Sequence, residues 1–243
     1  MIYSNTKPPQ GALINFSHVL SKDLAAFWVF NERMGNKVLD LSNNGWTCTI
    51  NGISNTTTNG WNPGKFGTSV YLVGVGAPIY NYGIVGDMGA FFSPGSVEYW
   101  MQPFAIENYR NSFSTNTTGA KNRGIRFEEN SSGNFVVVFG NNSGTYTSHT
   151  YLASGLAAYS WYHVVLTWNQ DASNVKGYLN GVQKFNEAHS YWPTVFDATF
   201  IGGGYDSSRS WKGIIDCVRM YKRELTQGEV TQLYAEPFCM FNK

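Results

Sequence analysis

The chain has 243 residues, of which 42% are hydrophobic, 16% aromatic and only 14% charged, against about 25% charged in ordinary soluble domains. That balance supports a sizeable core and excludes a coiled coil or a charge-rich disordered chain. The formal net charge is +1, too weak a field to hold a phosphate backbone, so nucleic acid is not an expected partner.

Residues Met1 to Pro9 lack the basic start and apolar run of a signal peptide. No stretch reaches the ~18 apolar residues of a membrane span. Cys48, Cys217 and Cys239 are odd in number, widely spaced and without a Cys-x-x-Cys pair. The expectation is three reduced thiols in a chain made in a reducing cytosol, with no zinc or redox motif.

Residues 1–23 are polar and proline-containing, with Ile14, Phe16 and Val19 as isolated apolar points, and read as an extended arm. Leu24 to Phe30 is short, apolar and aromatic, a buried strand. Turns at Asn43-Asn44-Gly45 and Asn51-Gly52 bracket a strand over Trp46 to Ile50, and further strands are expected at Ser69–Val73 and Ser96–Met101. Gly124–Glu128 and Phe135–Phe139 form a hairpin pattern, and Trp161–Trp168 is the strongest strand signal. Val175–Leu179 and Val182–Phe185 flank Asn180-Gly181, two residues tolerant of positive φ in a tight hairpin. Phe200-Ile201 and Ile214–Tyr221 close the series. Thr226-Gln227-Gly228-Glu229 fits a capping box; Val230, Leu233 and Tyr234 follow at helical spacing, and Pro237 stops the helix. Many short strands, glycine-rich turns and one short helix predict an all-β antiparallel sandwich. The expected division is an arm (1–23), a sandwich (24–236) and a tail (237–243).

Several of these segments resemble laminin-G-like domains of the concanavalin A-like superfamily. They are Leu24–Glu32, the turn Asp40–Gly45, Gly64-Lys65-Phe66-Gly67, Val97–Pro103, Trp161–Thr167, Tyr178-Leu179-Asn180-Gly181, Ile201-Gly202-Gly203, Gly213–Tyr221 and Arg223–Val230. They occur in the family's order over about residues 24–236. The resemblance implies a jelly roll of two stacked antiparallel sheets. Pro8–Ala12 and Ala235–Phe241 are also similar to the ends of laminin-G-like proteins encoded by tailed bacteriophages.

The superfamily includes hydrolases that carry paired carboxylates on one strand. The sixteen acidic residues offer no such pair: Glu128 and Glu129 are adjacent and should face opposite ways, while Glu224 and Glu229 belong to the helix start. A cross-strand pair is the remaining route to catalysis. His163 reads as a hydrogen-bonded structural histidine. The resemblance also implies a structural calcium, with Asp216, Asn31 and Asp40 as the matched ligands. Asn31 stands where the family usually has Asp, which removes a charge; Asp216 has an alternative role in pairing with Arg219 or a buried amide.

Sugar rings stack on aromatic faces while their hydroxyls need polar partners. Tyr191-Trp192 and the loop containing Tyr205 and Asp206 offer that mixture. Trp28, Trp100, Trp161, Trp168 and Trp211 read as core. Phe238, Met240 and Phe241 either form an apolar assembly patch or fold back on the sandwich.

The sequence therefore predicts a non-catalytic binding or assembly protein. The resemblance of its ends points to a phage virion component assembled in the host cytoplasm: a capsid decoration, head fibre or tail adhesin. It would dock on a capsid or tail protein, or on its own copies, through its tails, and contact surface glycan through its loops. A carbohydrate-binding module of an enzyme system and a glycoside hydrolase are the alternatives.

Overall fold

The long apolar runs of the sequence become the centre of one sheet. In the computed structural model, which describes residues 5–52, 60–73, 82–115, 124–140, 146–148, 151–196, 198–204 and 207–241, strand Gly95–Pro103 lies between Tyr162–Asn169 and Lys212–Tyr221. Outward from Tyr162–Asn169 come Asn174–Leu179 and Val182–Ala188; outward from Lys212–Tyr221 come Thr68–Val73 and Trp61–Pro63. Leu24–Trp28 pairs with the far end of Lys212–Tyr221.

The second sheet runs Tyr146–Ser148, Phe135–Gly140, Gly124–Glu129, Asn111–Ser114, Thr199–Ile201, Tyr82–Gly86, Cys48–Asn51 and Lys37–Val38. The pairings within both sheets are antiparallel. This is the two-sheet sandwich that the sequence predicts, and the Asn180-Gly181 hairpin (φ 53 and 79) and the Thr226–Glu229 capping box are both present. Cys48, Cys217 and Cys239 are free thiols.

Period-two alternation sorts each strand's side chains between two cores. Val97, Tyr99 and Met101 face the second sheet and join Val164, Leu166, Trp168, Phe113, Phe127 and Val137 in the central core. Trp100, from the opposite face of the same strand, joins a separate cluster with Phe27, Val165, Tyr178, Val230 and Leu233. That outer cluster lies under the helix Gln227–Ala235, with Tyr234 stacked on Trp100 at 5.5 Å.

The arm and tail complete the outer cluster. Ile14 and Leu20 are buried in it, as are Phe238, Met240 and Phe241. Ile14 bridges to Phe241, and Asn15 N–H donates to the Met240 carbonyl at 2.8 Å. Phe238 packs edge-on against Phe66, with ring centroids 5.4 Å apart. Of the two expectations for Phe238, Met240 and Phe241, the structure shows the fold-back on the sandwich, and the exposed assembly patch is corrected. Each such side chain gains about 1.5–3 kcal/mol by leaving water, and the uncovered sheet face beside the helix lets all three do so within one chain.

Asp216 and Arg219 are three residues apart and would face opposite sides of a regular strand. A bulge between them, with Cys217 at φ 53, breaks the register and brings both to the outer face, opposite Trp100 and Glu98 respectively.

Candidate functional site

A row of aromatic rings crosses the outer face of the first sheet beyond the helix. In strand Thr68–Val73 the inward residues are Val70 and Leu72, which leaves Tyr71 pointing outward. Tyr71 stacks on Phe104 at 5.3 Å, and Phe104 lies 5.1 Å from Tyr159, ring centroid to centroid. Tyr159 is 68% exposed. It is held at φ 62, with its N–H bonded to the Pro103 carbonyl at 2.6 Å and its own carbonyl accepting from Gln102 Nε2 at 2.8 Å.

Beside this row lies a groove of about 450 Å³ lined by Asn62, Pro63, Tyr71, Gln102, Phe104 and Ile214. A more open cleft of about 750 Å³, lined among others by Trp61, Arg33 and Asn31, meets it at Asn62 and Pro63. Half-buried rings, three carboxamides and a guanidinium thus border two neighbouring depressions that share Asn62 and Pro63. Such a surface can stack the C–H face of a ring while amides and a cation meet its hydroxyls.

A second polar cluster sits on the outer face of the other sheet. Arg126 and Glu128 face outward there, with Arg126 Nε donating to Glu128 Oε2 at 2.9 Å. Arg209 lies 3.6 Å from the same carboxylate and 5.2 Å over the Tyr109 ring. Glu129, its neighbour in sequence, turns the other way, as expected. It is 1% exposed; its Oε2 accepts from Glu107 N–H at 2.9 Å, and its Oε1 meets the core Trp211 Nε1 at 3.5 Å. Burial pushes the Glu129 carboxyl up to about 7.

The residues singled out from the sequence fall in different places. Tyr191 is 41% exposed, but Trp192 is an edge plug, 4.7 Å from His189 and 5.7 Å from Phe139. Tyr205 and Asp206 lie outside the described residues; their neighbours lead into the Arg209 cluster. Trp28, Trp168 and Trp211 are fully buried, as expected for core. His163 is buried with Nε2 at 2.9 Å from Glu98 Oε1, and Glu98 Oε2 takes Arg219 at 2.6 Å. Burial alone would raise the Glu98 carboxyl, but the Arg219 guanidinium and His163 hold it below the usual range. Arg219 also reaches the Pro237 carbonyl and lies 4.0 Å over the Phe27 ring, which fastens the tail.

The three side chains implied as calcium ligands each have partners within the protein. Asp216 Oδ1 lies 2.5 Å from Lys7 Nζ, and its Oδ2 accepts from Lys65 N–H at 3.0 Å. Asn31 turns its Nδ2 to the Pro8 carbonyl at 2.6 Å. Asp40 organises a turn, accepting from the N–H groups of Phe27, Ser42 and Trp46 at 2.9–3.0 Å. Calcium needs six to eight oxygens, and these three side chains are committed elsewhere. Of the two alternative roles expected for Asp216, the amide is the one seen, in the Lys65 N–H, while the Arg219 pairing is replaced: Lys7 takes Asp216 and Glu98 takes Arg219. Among the described residues, no group of three or more His, Cys, Asp or Glu side chains could hold a metal.

The family model for the concanavalin A-like lectin/glucanase superfamily matches residues 80–231. The chain belongs to this superfamily. Its sandwich is therefore a concanavalin A-like jelly roll, and solved structures share it. Domain 4 of AbnA, a GH43 extracellular arabinanase from Geobacillus stearothermophilus solved with arabinotriose, aligns at a TM-score of 0.67 and 20% identity over 88% of this chain and 98% of that one. The binding domain of Paraclostridial Mosquitocidal Protein 1 aligns at 0.66 and 16% identity, covering 88% of this chain and 52% of that one. The binding domain of botulinum neurotoxin DC, solved in complex with SialylT, aligns at 0.66 and 14% identity, with the same two coverages. The superfamily chain thus spans about half the length of these toxin binding domains. No curated protein matches the sequence. Among the described residues of this concanavalin A-like fold, no helix is long and apolar enough to cross a membrane.

Proposed function

We propose that this protein is a non-catalytic glycan-binding jelly roll, with the groove beside Tyr71, Phe104 and Tyr159 as its sugar site. The observation that carries this reading is the row of three rings in contact on an open sheet face, ending in an exposed tyrosine and bordered by Asn62 and Gln102. Aromatic faces supply stacking area at little conformational cost, and neighbouring amides select hydroxyl positions. Membership of the lectin/glucanase superfamily and the arabinotriose-bound structural neighbour support the ligand class. On the resemblance of Pro8–Ala12 and Ala235–Phe241 to the ends of tailed-phage proteins, we further propose that the module serves a virion as an adhesin, head fibre or decoration.

The test is a glycan array that includes bacterial surface polysaccharides, probed with the intact chain and with Tyr159→Ala. Tyr159 is exposed, so the variant should keep its melting temperature. Loss of one stacking partner and its excluded water should weaken a retained glycan at least about tenfold. Unchanged affinity in Tyr159→Ala would remove the groove. Loss in Trp192→Ala or Arg209→Ala instead would move the site to those residues.

A hydrolase reading has one observation behind it, the raised carboxyl of Glu129 beside Glu107. Glu129 is 1% exposed beneath Trp211, where a glycosidic bond cannot reach it, and this favours the binding reading. Reducing-sugar release that disappears in Glu129→Gln would reverse that preference.

A further inference from the structure

We infer that Lys7 is a built-in cation: its ammonium fills an oxygen-lined socket on the sandwich that accepts a divalent cation when the lysine is removed. Lys7 Nζ is surrounded by the Asp216 carboxylate at 2.5 Å, the Phe30 carbonyl at 3.0 Å and the Thr68 carbonyl. These oxygens come from three strand regions far apart in sequence. An ammonium has three N–H donors and no acceptor, and three oxygens meet them. The side chains of Lys7 and Asp216 are 3% and 0% exposed, so the charge on each is compensated within the socket rather than by water.

The sequence around Lys7 holds the plug in place. Lys7 N–H donates to the Phe66 carbonyl at 3.1 Å. Asn31 Nδ2 donates to the Pro8 carbonyl at 2.6 Å, and Gln10 Nε2 donates to the Asn31 carbonyl at 2.8 Å. Phe30, at φ 58, is a left-handed residue in the turn that presents one of the carbonyls. The bulge at Cys217 brings Asp216 to this outer face. The socket therefore exists because of two backbone irregularities, and with Lys7 in place it leaves a metal too few free oxygens. A hard cation and an ammonium ask for the same donors, carboxylate and carbonyl oxygen. Without the lysine, Asp216, the two carbonyls and entering water would offer calcium a weak site, of the order of 10⁻⁴–10⁻³ M.

The experiment compares thermal unfolding in EDTA and in about 10 mM calcium, a concentration chosen to exceed that affinity. The intact chain should melt at the same temperature in both. Lys7→Ala should melt roughly 5–10 °C lower in EDTA, because Asp216 is left buried without its partner, and calcium should restore a large part of the loss. The double variant Lys7→Ala/Asp216→Asn should show no response to calcium. Lys7→Ser, which also empties the socket and adds a hydroxyl, gives the same reading should Lys7→Ala not accumulate. The inference falls if the intact chain binds calcium in a titration calorimeter and Asp216→Asn abolishes that binding. It also falls if neither Lys7 variant responds to calcium.

Discussion

Replacing Glu129 by Gln should make this protein more stable at neutral and alkaline pH and leave it nearly unchanged in mild acid. Glu129 is 1% exposed, with one oxygen on the Glu107 N–H and the other at 3.5 Å from Trp211 Nε1. Burial, with the Glu107 carboxylate nearby, raises its carboxyl from 4.5 to about 7. The folded protein thus holds a proton that the unfolded chain has released between those two values. Stability contributed by the protonated form is full below about pH 4.5, declines as pH rises towards 7, and stays low above it. At ~1.4 kcal/mol per pKa unit, the cost of ionising Glu129 in place approaches about 3 kcal/mol. Gln keeps an acceptor for Glu107 N–H and never ionises. Urea unfolding of both proteins at pH 4.5, 6 and 8 should show a gap that opens by about 2–3 kcal/mol between the lowest and highest pH. A gap of the same size at every pH would refute the reasoning, because it would show that Glu129 contributes packing or hydrogen bonding but no ionisation cost.

The outer cluster gives two further expected outcomes. Arg219→Met leaves Glu98 buried with His163 alone and frees the Pro237 carbonyl; unfolding should become easier by about 3–5 kcal/mol, and limited proteolysis should cut first near residue 237. Removing residues 1–20 and 238–243 uncovers the apolar side chains around Phe27 and Phe66. Light scattering should then find the trimmed chain more self-associated than the intact one; a trimmed chain that remains a clean monomer would show that the arm and tail add little to the core.

Much of this fold is legible in the sequence because its signals are local. Apolar runs, Asn-Gly at 180–181 and the capping box at Thr226 need only a few neighbouring residues to act, and each forms where expected. The strand Asn111–Ser114 carries no such signal: its residues are Asn, Ser, Phe and Ser, and it is a strand because its neighbours pair with it on both sides. The aromatic groove is readable in part. Val70 and Leu72 alternate with Tyr71, which marks Tyr71 as outward, but nothing local brings Phe104 and Tyr159 beside it. The loop residues favoured from sequence, Tyr191 and Trp192, have the right chemistry; only packing shows Trp192 closing the sandwich edge against His189 and Phe139.

The sequence by itself determined an antiparallel sandwich, the positions of its turns and its one capped helix, since alternation and turn chemistry act within a few residues; the superfamily came from the resemblance of whole motif segments in their order along the chain. Tertiary structure alone decided the partners of the buried charges. Lys7 meets Asp216 across more than two hundred residues of chain, and Glu98 meets Arg219 and His163 from three adjacent strands. A bulge at one residue, Cys217, sets which face Asp216 and Arg219 share. Such pairings depend on register and on what covers a sheet face. Those are properties of the assembled sheet and its arm and tail, with no trace in the spacing of residues along the chain.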